Sequence, residues 1–343
     1  MGVLIRAALA AALVVPAPIL APAAALAGSV RDDKERLAFR IKDTRITESS
    51  GLATSPTHRG IVYTHNDSDA GPTFYAIGPG GRTRATFRLS GAEARDWEGM
   101  AATTDPETGR GVLWFADIGD NMDGAWPDIS VYKVQEPAEL RDATLPATRY
   151  RFRYKDGARN AEGLMVNPRT GRLYIVSKEF GGSVYVAPRR LSTTKTNVLR
   201  RFAAAPLMAT DAAFAPDGSG YVIRTYFSAS LYDPTGKSIG RLTMPAVNQA
   251  ESITYTRDGT AVLTGSEGVS SPVYRVPLPA GLRPRPTLTP TPERATHRTS
   301  PSTAPASAES PADGGVSYGL IALWAALVAV AVGVILFLVR LVR

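Results

Sequence analysis

Acidic residues stand at regular intervals along this chain, each ahead of a small residue and an apolar run. The set reads Glu98-Gly99-Met100, Glu162-Gly163-Leu164, Asp211-Ala212-Ala213 and Glu251-Ser252-Ile253, with Ser50-Gly51-Leu52 in step before them. A second set of polar residues lies between: His65, Asn66 and Asp67; Asp96; Asp117, Asp120 and Asn121; Lys178; Arg224; and Glu267. Paired carboxylates can act as acid and base in hydrolysis. Glu98, Glu162 and Asp211 are the catalytic candidates, with Asp96 a further partner for a glycosidic pair. Asn66, Asp67, Asp96, Asp117, Asp120 and Asn121 offer only oxygen donors from their carboxylate and amide groups, the donor type of a hard cation such as Ca2+. The same residue types cap turns by accepting from backbone amides, and that reading stays open for each of them.

Lys178, Arg224, His65, Glu251 and Glu267 are candidates for contacting a ligand. Arg224 suits bidentate bonding to a phosphate or carboxylate, or a salt bridge to Glu162, Asp211 or Glu251. A Ser–His–Asp hydrolase is poorly supported. The histidines are His58, His65 and His297, and Gly265-Ser266-Glu267-Gly268 lacks the strand–turn–helix setting of a nucleophile elbow. The chain has no cysteine, so thiol nucleophiles and thiolate metal sites are excluded.

The elements that would position these groups are short strands. An apolar residue followed by tyrosine returns as Phe74-Tyr75, Val131-Tyr132, Val184-Tyr185, Leu231-Tyr232 and Val273-Tyr274. The spacing is roughly 50 residues, and two signals repeating together at that period mark the blades of a β-propeller. Turn signals such as Pro79-Gly80-Gly81, Asn167-Pro168-Arg169-Thr170-Gly171 and Pro216-Asp217-Gly218 divide each repeat into four strands. The fifth repeat lacks its fourth strand, and Leu37 to Ile46 is a strand without a repeat. The sequence therefore predicts an all-β, five-bladed propeller over residues 35–282, with the N-terminal strand closing the last blade. Six blades is the alternative, if Asp117 to Pro146 conceals part of another sheet. In such a ring the start of each first strand and the end of each second strand share one face, which would gather the acids around one axis. The recurrent tyrosines would pack between blades with their hydroxyls at the rim.

The termini have different compositions. Residues 1–27 read as a secretory signal ending in Ala25-Leu26-Ala27. Residues 283–315 are rich in Pro, Thr, Ser and Ala and read as an extended stalk. Residues 317–339 read as a transmembrane helix; Gly319 to Val339 carries no charge and would span about 31 Å. Residues 340–343, with Arg340 and Arg343, form the expected cytoplasmic tail. The expected localisation is the cell membrane, single-pass type I, with the propeller extracellular. The net charge of +8 comes from scattered arginines rather than a basic stripe, which points away from nucleic acid as a partner. The expected state is a monomer.

The segments Glu48-Ser49-Ser50-Gly51-Leu52-Ala53, Thr64-His65-Asn66-Asp67-Ser68, Asp96-Trp97-Glu98-Gly99-Met100-Ala101, Asp117-Ile118-Gly119-Asp120-Asn121 and Asn160-Ala161-Glu162-Gly163-Leu164 resemble a group of secreted bacterial propellers. These are described as WD40-like or as relatives of the "esterase-like activity of phytase" domain. The resemblance covers about residues 40 to 280 and implies the propeller fold. Propeller phytases, to which it is similar, hold calcium at one face and hydrolyse phosphate esters there. Metal-dependent propeller lactonases are similar too, and Glu98, Glu162, Asp211 and Asn121 imitate their axial set. Two functions are expected from these readings. The first is a membrane-anchored module binding an envelope ligand (a small molecule, glycan or phosphate) at an acidic face with Ca2+; the alternative is a metal-dependent hydrolase of a phosphate ester, lactone or glycoside.

Overall fold

The computed structural model describes residues 35–67, 70–122 and 124–283. They fall within the first of two compact units, Met1–Leu288; the second, Thr289–Arg343, lies outside the described residues. The expected signal at 1–27, the stalk beyond Arg283, the membrane helix at 317–339 and the tail also lie outside them. Among the described residues no helix is long and apolar enough to cross a membrane.

The described chain is built from β-strands, with a single 3-10 turn at Ala280–Leu282. Strand β1 is Arg36–Arg40. A first four-strand group follows: β2 (Ser49–Thr54), β3 (Val62–Asn66), β4 (Thr73–Ile77) and β5 (Thr83–Ser90). The second is β6 (Trp97–Thr104), β7 (Gly111–Asp117) and β8 (Ile129–Gln135), then β9 (Ala143–Pro146), which leaves the group, and β10 (Thr148–Tyr154), which completes it. The third is β11 (Ala161–Val166), β12 (Leu173–Ser177), β13 (Ser183–Val186) and β14 (Asn197–Ala204). The fourth is β15 (Ala209–Phe214), β16 (Tyr221–Thr225), β17 (Ser228–Tyr232) and β18 (Ser238–Thr243). The last has β19 (Ile253–Tyr255), β20 (Ala261–Thr264) and β21 (Pro272–Pro277). Its fourth strand is β1, paired antiparallel to β21 with Leu37 opposite Tyr274. The N-terminal strand therefore joins the last group, as its unmatched pattern predicts. It stops at Arg40 rather than Ile46, because Ile41 and Ile46 turn inward and are buried as the chain crosses to β2.

The segment 117–146 adds β8 to its own group and sends β9 to lie parallel to β5, Phe87 opposite Ala143. Outer strands β10 and β14 also pair in parallel, merging the second and third groups into one eight-stranded sheet.

The first strands of the groups pack in sequence, β2 on β6, β6 on β11, β11 on β15, β15 on β19, and β19 returns to β2. Their ends converge: Thr54, Thr103, Val166, Phe214 and Tyr255 line one cavity of about 390 Å3. Each apolar cluster bridges two successive groups. Phe74 and Phe87 pack with Trp97 and Phe115, Trp114 and Phe152 with Leu164 and Ile175, and Val176 with Ile223. Leu231 packs with Ile253 and Val262, and Leu263 and Val273 with Leu52 and Val62, joining last to first. The arrangement is propeller-like, and its stability rests on apolar faces that no group could bury alone.

Sterics at the centre explain the glycines at three of these first-strand positions. A Cβ at Gly51 would lie 3.0 Å from the Glu98 carbonyl, one at Gly99 2.7 Å from the Glu162 carbonyl, and one at Gly163 3.1 Å from the Ala212 nitrogen. Neighbouring first strands approach too closely for a side chain there. The tyrosines of the third strands serve the rim. The Tyr132 hydroxyl accepts from the Glu93 amide at 3.1 Å, and the Tyr185 hydroxyl donates to Asp156 at 3.0 Å.

Candidate functional site

The acids that begin the first strands and those that end the second strands occur at one end of the axis, here called the mouth. Asp67 follows β3, Asp96 precedes β6, and Glu98 lies within it; one oxygen from each falls within 4.8 Å of the others. Asp67 and Asp96 share a hydrogen bond, and burial together with the Asp96 charge pushes the Asp67 carboxyl up to about 8. Glu98 is buried and raised well above the usual carboxylate range by that burial and by Glu162. It shares a hydrogen bond with Glu162, and Ser50 donates to its Oε2 at 3.1 Å. Gly119 makes room for this: a Cβ there would collide with Asp96 and come within 2.6 Å of Glu98 Oε1.

On the other side Glu162 Oε1 accepts from Lys178 Nζ at 2.7 Å. Burial pulls the Lys178 ammonium down, but Glu162 more than offsets that and holds it above its ordinary value. Glu162 is itself raised, because its complete burial outweighs the opposing pull of Lys178. Lys178 lies 5.2 Å from the centre of the Tyr226 ring, and Tyr226 favours the charged forms of both Lys178 and Glu251. Glu251 is pushed up to about 7 by burial and by Glu162, and its Oε2 has no hydrogen-bond partner among the described residues. Glu267, also raised to about 7 by burial and Glu251, accepts from Gln249 at 2.7 Å.

The remaining sequence candidates are engaged elsewhere. Asn66 Oδ1 accepts from the Thr47 and Glu48 amides at 3.1 and 3.2 Å. Asp117 Oδ1 accepts from Asp96 N at 2.9 Å, and Asp120 accepts from Ala125 N and Trp126 N at 3.1 and 2.9 Å. Asn121 Oδ1 accepts from the Asn160 side chain at 3.0 Å. These four hold the loops of the mouth. Asp211 accepts from Ala212 N at 2.7 Å and from Ile253 N at 2.8 Å, fastening β15 to β19. Burial lifts its carboxyl well above the usual range against the pull of those bonds. His65 sits in the core, 5.4 Å from Trp97, and burial lowers it to about 4, so its ring is neutral.

Arg224 is completely buried, and none of its three guanidinium nitrogens has a partner among the described residues. Burial lowers it to about 10 against the pull of Glu251 and Asp211. It makes no salt bridge within 4.0 Å there. Tyr226, whose ring lies beside Lys178, has no counterpart in the sequence pattern; it stands in the tight turn between β16 and β17, two residues after Arg224.

Six carboxyl groups (Asp67, Asp96, Glu98, Glu162, Glu251 and Glu267) thus gather at the mouth; Lys178 acts on Asp96, Glu162, Glu251 and Glu267, Arg95 on Asp96 and Arg224 on Glu251. The donors are hard oxygens, and Asp67 Oδ1 has no partner among the described residues, so the set fits a hard divalent cation. The shared bonds of Asp67 with Asp96 and of Glu98 with Glu162 bring those carboxyls closer than the 5 Å or more of a glycosidase pair.

The fold and site together describe an all-β, propeller-like protein with an acidic mouth. No family model matches the chain, and no curated protein matches it. The resemblance to secreted bacterial propellers therefore rests on the quoted residues. Among solved structures, a gluconolactonase of Xanthomonas campestris is similar at a TM-score of 0.41 and 15% identity, covering 73% of this chain and 96% of that chain.

Proposed function

We propose that this protein is a five-bladed propeller acting as a metal-dependent hydrolase of a neutral carboxylic ester or lactone at its mouth. It is presented outside the cell by its C-terminal helix. The blade count is supported by five first strands in sequence, with β19 against β2. The observation that carries the activity is the junction of two halves. An oxygen-only cluster, Asp67, Asp96 and Glu98, adjoins Glu162, Lys178, Tyr226 and Glu251 through the Glu98–Glu162 bond.

Asp67, Asp96 and Glu98 would hold the cation, Ca2+ being the first choice by donor type. A bound cation polarises a carbonyl oxygen and stabilises the charge that develops on it. Glu251, whose buried Oε2 has no hydrogen-bond partner among the described residues, has a proton affinity near neutral pH, as general-base work requires. Tyr226 and Lys178, the latter held by Glu162, both favour the ionised form of that carboxyl. The Asp67–Asp96 and Glu98–Glu162 pairs are too close to serve as the two carboxyls of a glycosidase.

The test is the full chain assayed with aryl esters, aliphatic lactones, phosphomonoesters and aryl glycosides, with Ca2+ and with chelator. Turnover of esters or lactones that chelation removes and Glu251→Gln abolishes is the expected result. Binding of these compounds without turnover of any would leave the module reading instead.

A further inference from the structure

Large apolar side chains left in solvent are concentrated at the mouth. Met122 follows β7, Phe180 follows β12, Leu207 precedes β15, Phe227 joins β16 to β17, and Val269 joins β20 to β21. The other two among the described residues, Leu37 and Ile239, lie on the outermost strands β1 and β18. Phe180 is 87% exposed and Phe227 is 90% exposed, which for phenylalanine costs free energy unless something covers the ring.

The rim is continuous with the polar centre. The Phe227 ring centre lies 6.4 Å from that of Tyr226, and the Tyr226 ring lies 5.2 Å from Lys178 Nζ. Phe180 stands two residues after Lys178. The turns that present these side chains are tied down. Thr225 Oγ1 accepts from the Phe227 and Ser228 amides at 3.3 and 3.1 Å. Met208 N donates to the Glu179 carbonyl at 3.0 Å, fastening the Leu207 connection to the Phe180 turn.

Resting on the hydrolase reading, we propose that the substrate is amphiphilic: an ester or lactone whose polar head enters the mouth while its alkyl tail lies across the Phe180–Phe227 side of the rim. The occupant follows from the geometry. The apolar residues stand on separate loops around a polar hole, a pattern that suits one molecule with a head and a tail. Strand β21, the last of the described strands, ends away from the mouth.

The full chain in phosphatidylcholine nanodiscs is titrated with unreactive N-alkylacetamides from ethyl to octyl, with empty nanodiscs subtracted. A fully buried methylene tightens binding about fourfold, and on an open rim about twofold per methylene is expected. Phe180→Ser with Phe227→Ser removes that dependence and leaves the ethyl probe unchanged, while Phe227→Leu keeps it. A dependence that is flat in the natural chain, or that survives in the double variant, overturns the proposal. So does a flat dependence combined with loss of vesicle binding in the double variant, which would make the rim a membrane-docking surface. If the dependence is present but no alkanoyl ester of any length is turned over, the tail site stands and the hydrolase reading fails.

Discussion

Lys178 Nζ and Glu162 Oε1 meet at 2.7 Å with both side chains largely withdrawn from solvent. The two residues flank the hairpin of β11 and β12, one just inside the first strand and the other just past the second. Their bond divides the mouth into a side that suits a cation and a side that suits proton transfer. Replacing Lys178 by Met leaves Glu162 buried without its partner, which costs about 3–5 kcal/mol. Thermal melts should show that loss, and adding Glu162→Gln should recover most of it, the signature of a coupled pair. Equal melting of the single and double variants would mean that the pair contributes nothing.

Metal binding should depend on pH in a defined direction. Asp67 has an ordinary value of 3.8 and sits at about 8 in the fold. Between those values the folded chain keeps a proton that the unfolded chain has lost. The stability of the metal-free protein therefore falls as pH rises through that window. Glu251 and Glu267, each raised to about 7, act in the same direction. A divalent cation expels the Asp67 proton, so the melting gain from Ca2+ should grow from about pH 6 to about pH 9. Asp96→Asn should remove the gain. A gain that shrinks with pH would be inconsistent with these ligands.

Glu251→Gln keeps the shape and removes the base. With an ester substrate, kcat should fall by about 10²–10⁴ with little change in KM. The natural protein should lose activity as pH drops through about 7, where Glu251 gains its proton, and the residual activity of the variant should lack that limb. Steady-state rates across pH decide it.

Close approach at the centre should make Gly99 intolerant of the smallest side chain. A Cβ there would lie 2.6 Å from Leu164 N and 2.9 Å from Asp211 Oδ1. Gly99→Ala should cost about 1–3 kcal/mol in chemical denaturation. Gly181→Ala, where nothing lies within 4 Å, should stay within about 0.5 kcal/mol.

Much of this protein follows from its sequence. The alternating apolar strands, the tyrosine on the third strand of each group and the spare strand near residue 37 were legible because they are local patterns with a fixed period. The glycines at three first-strand positions were legible too, although their cause, close approach at the centre, is a tertiary fact. The roles of the acids were not legible. Glu162 and Asp211 precede small residues in the same way, yet one meets Lys178 and the other takes the Ile253 amide. Asp117 and Asp120 look like metal ligands in the sequence and bond the loop backbone in the structure. A carboxylate goes to whichever donor the neighbouring strand brings within reach, and strand register decides that. Tyr226 and the exposed Phe180 and Phe227 acquire meaning only when separate turns are brought to one end of the axis. Sequence determined the strands and the stock of carboxylates; chain closure decided which of them share a mouth.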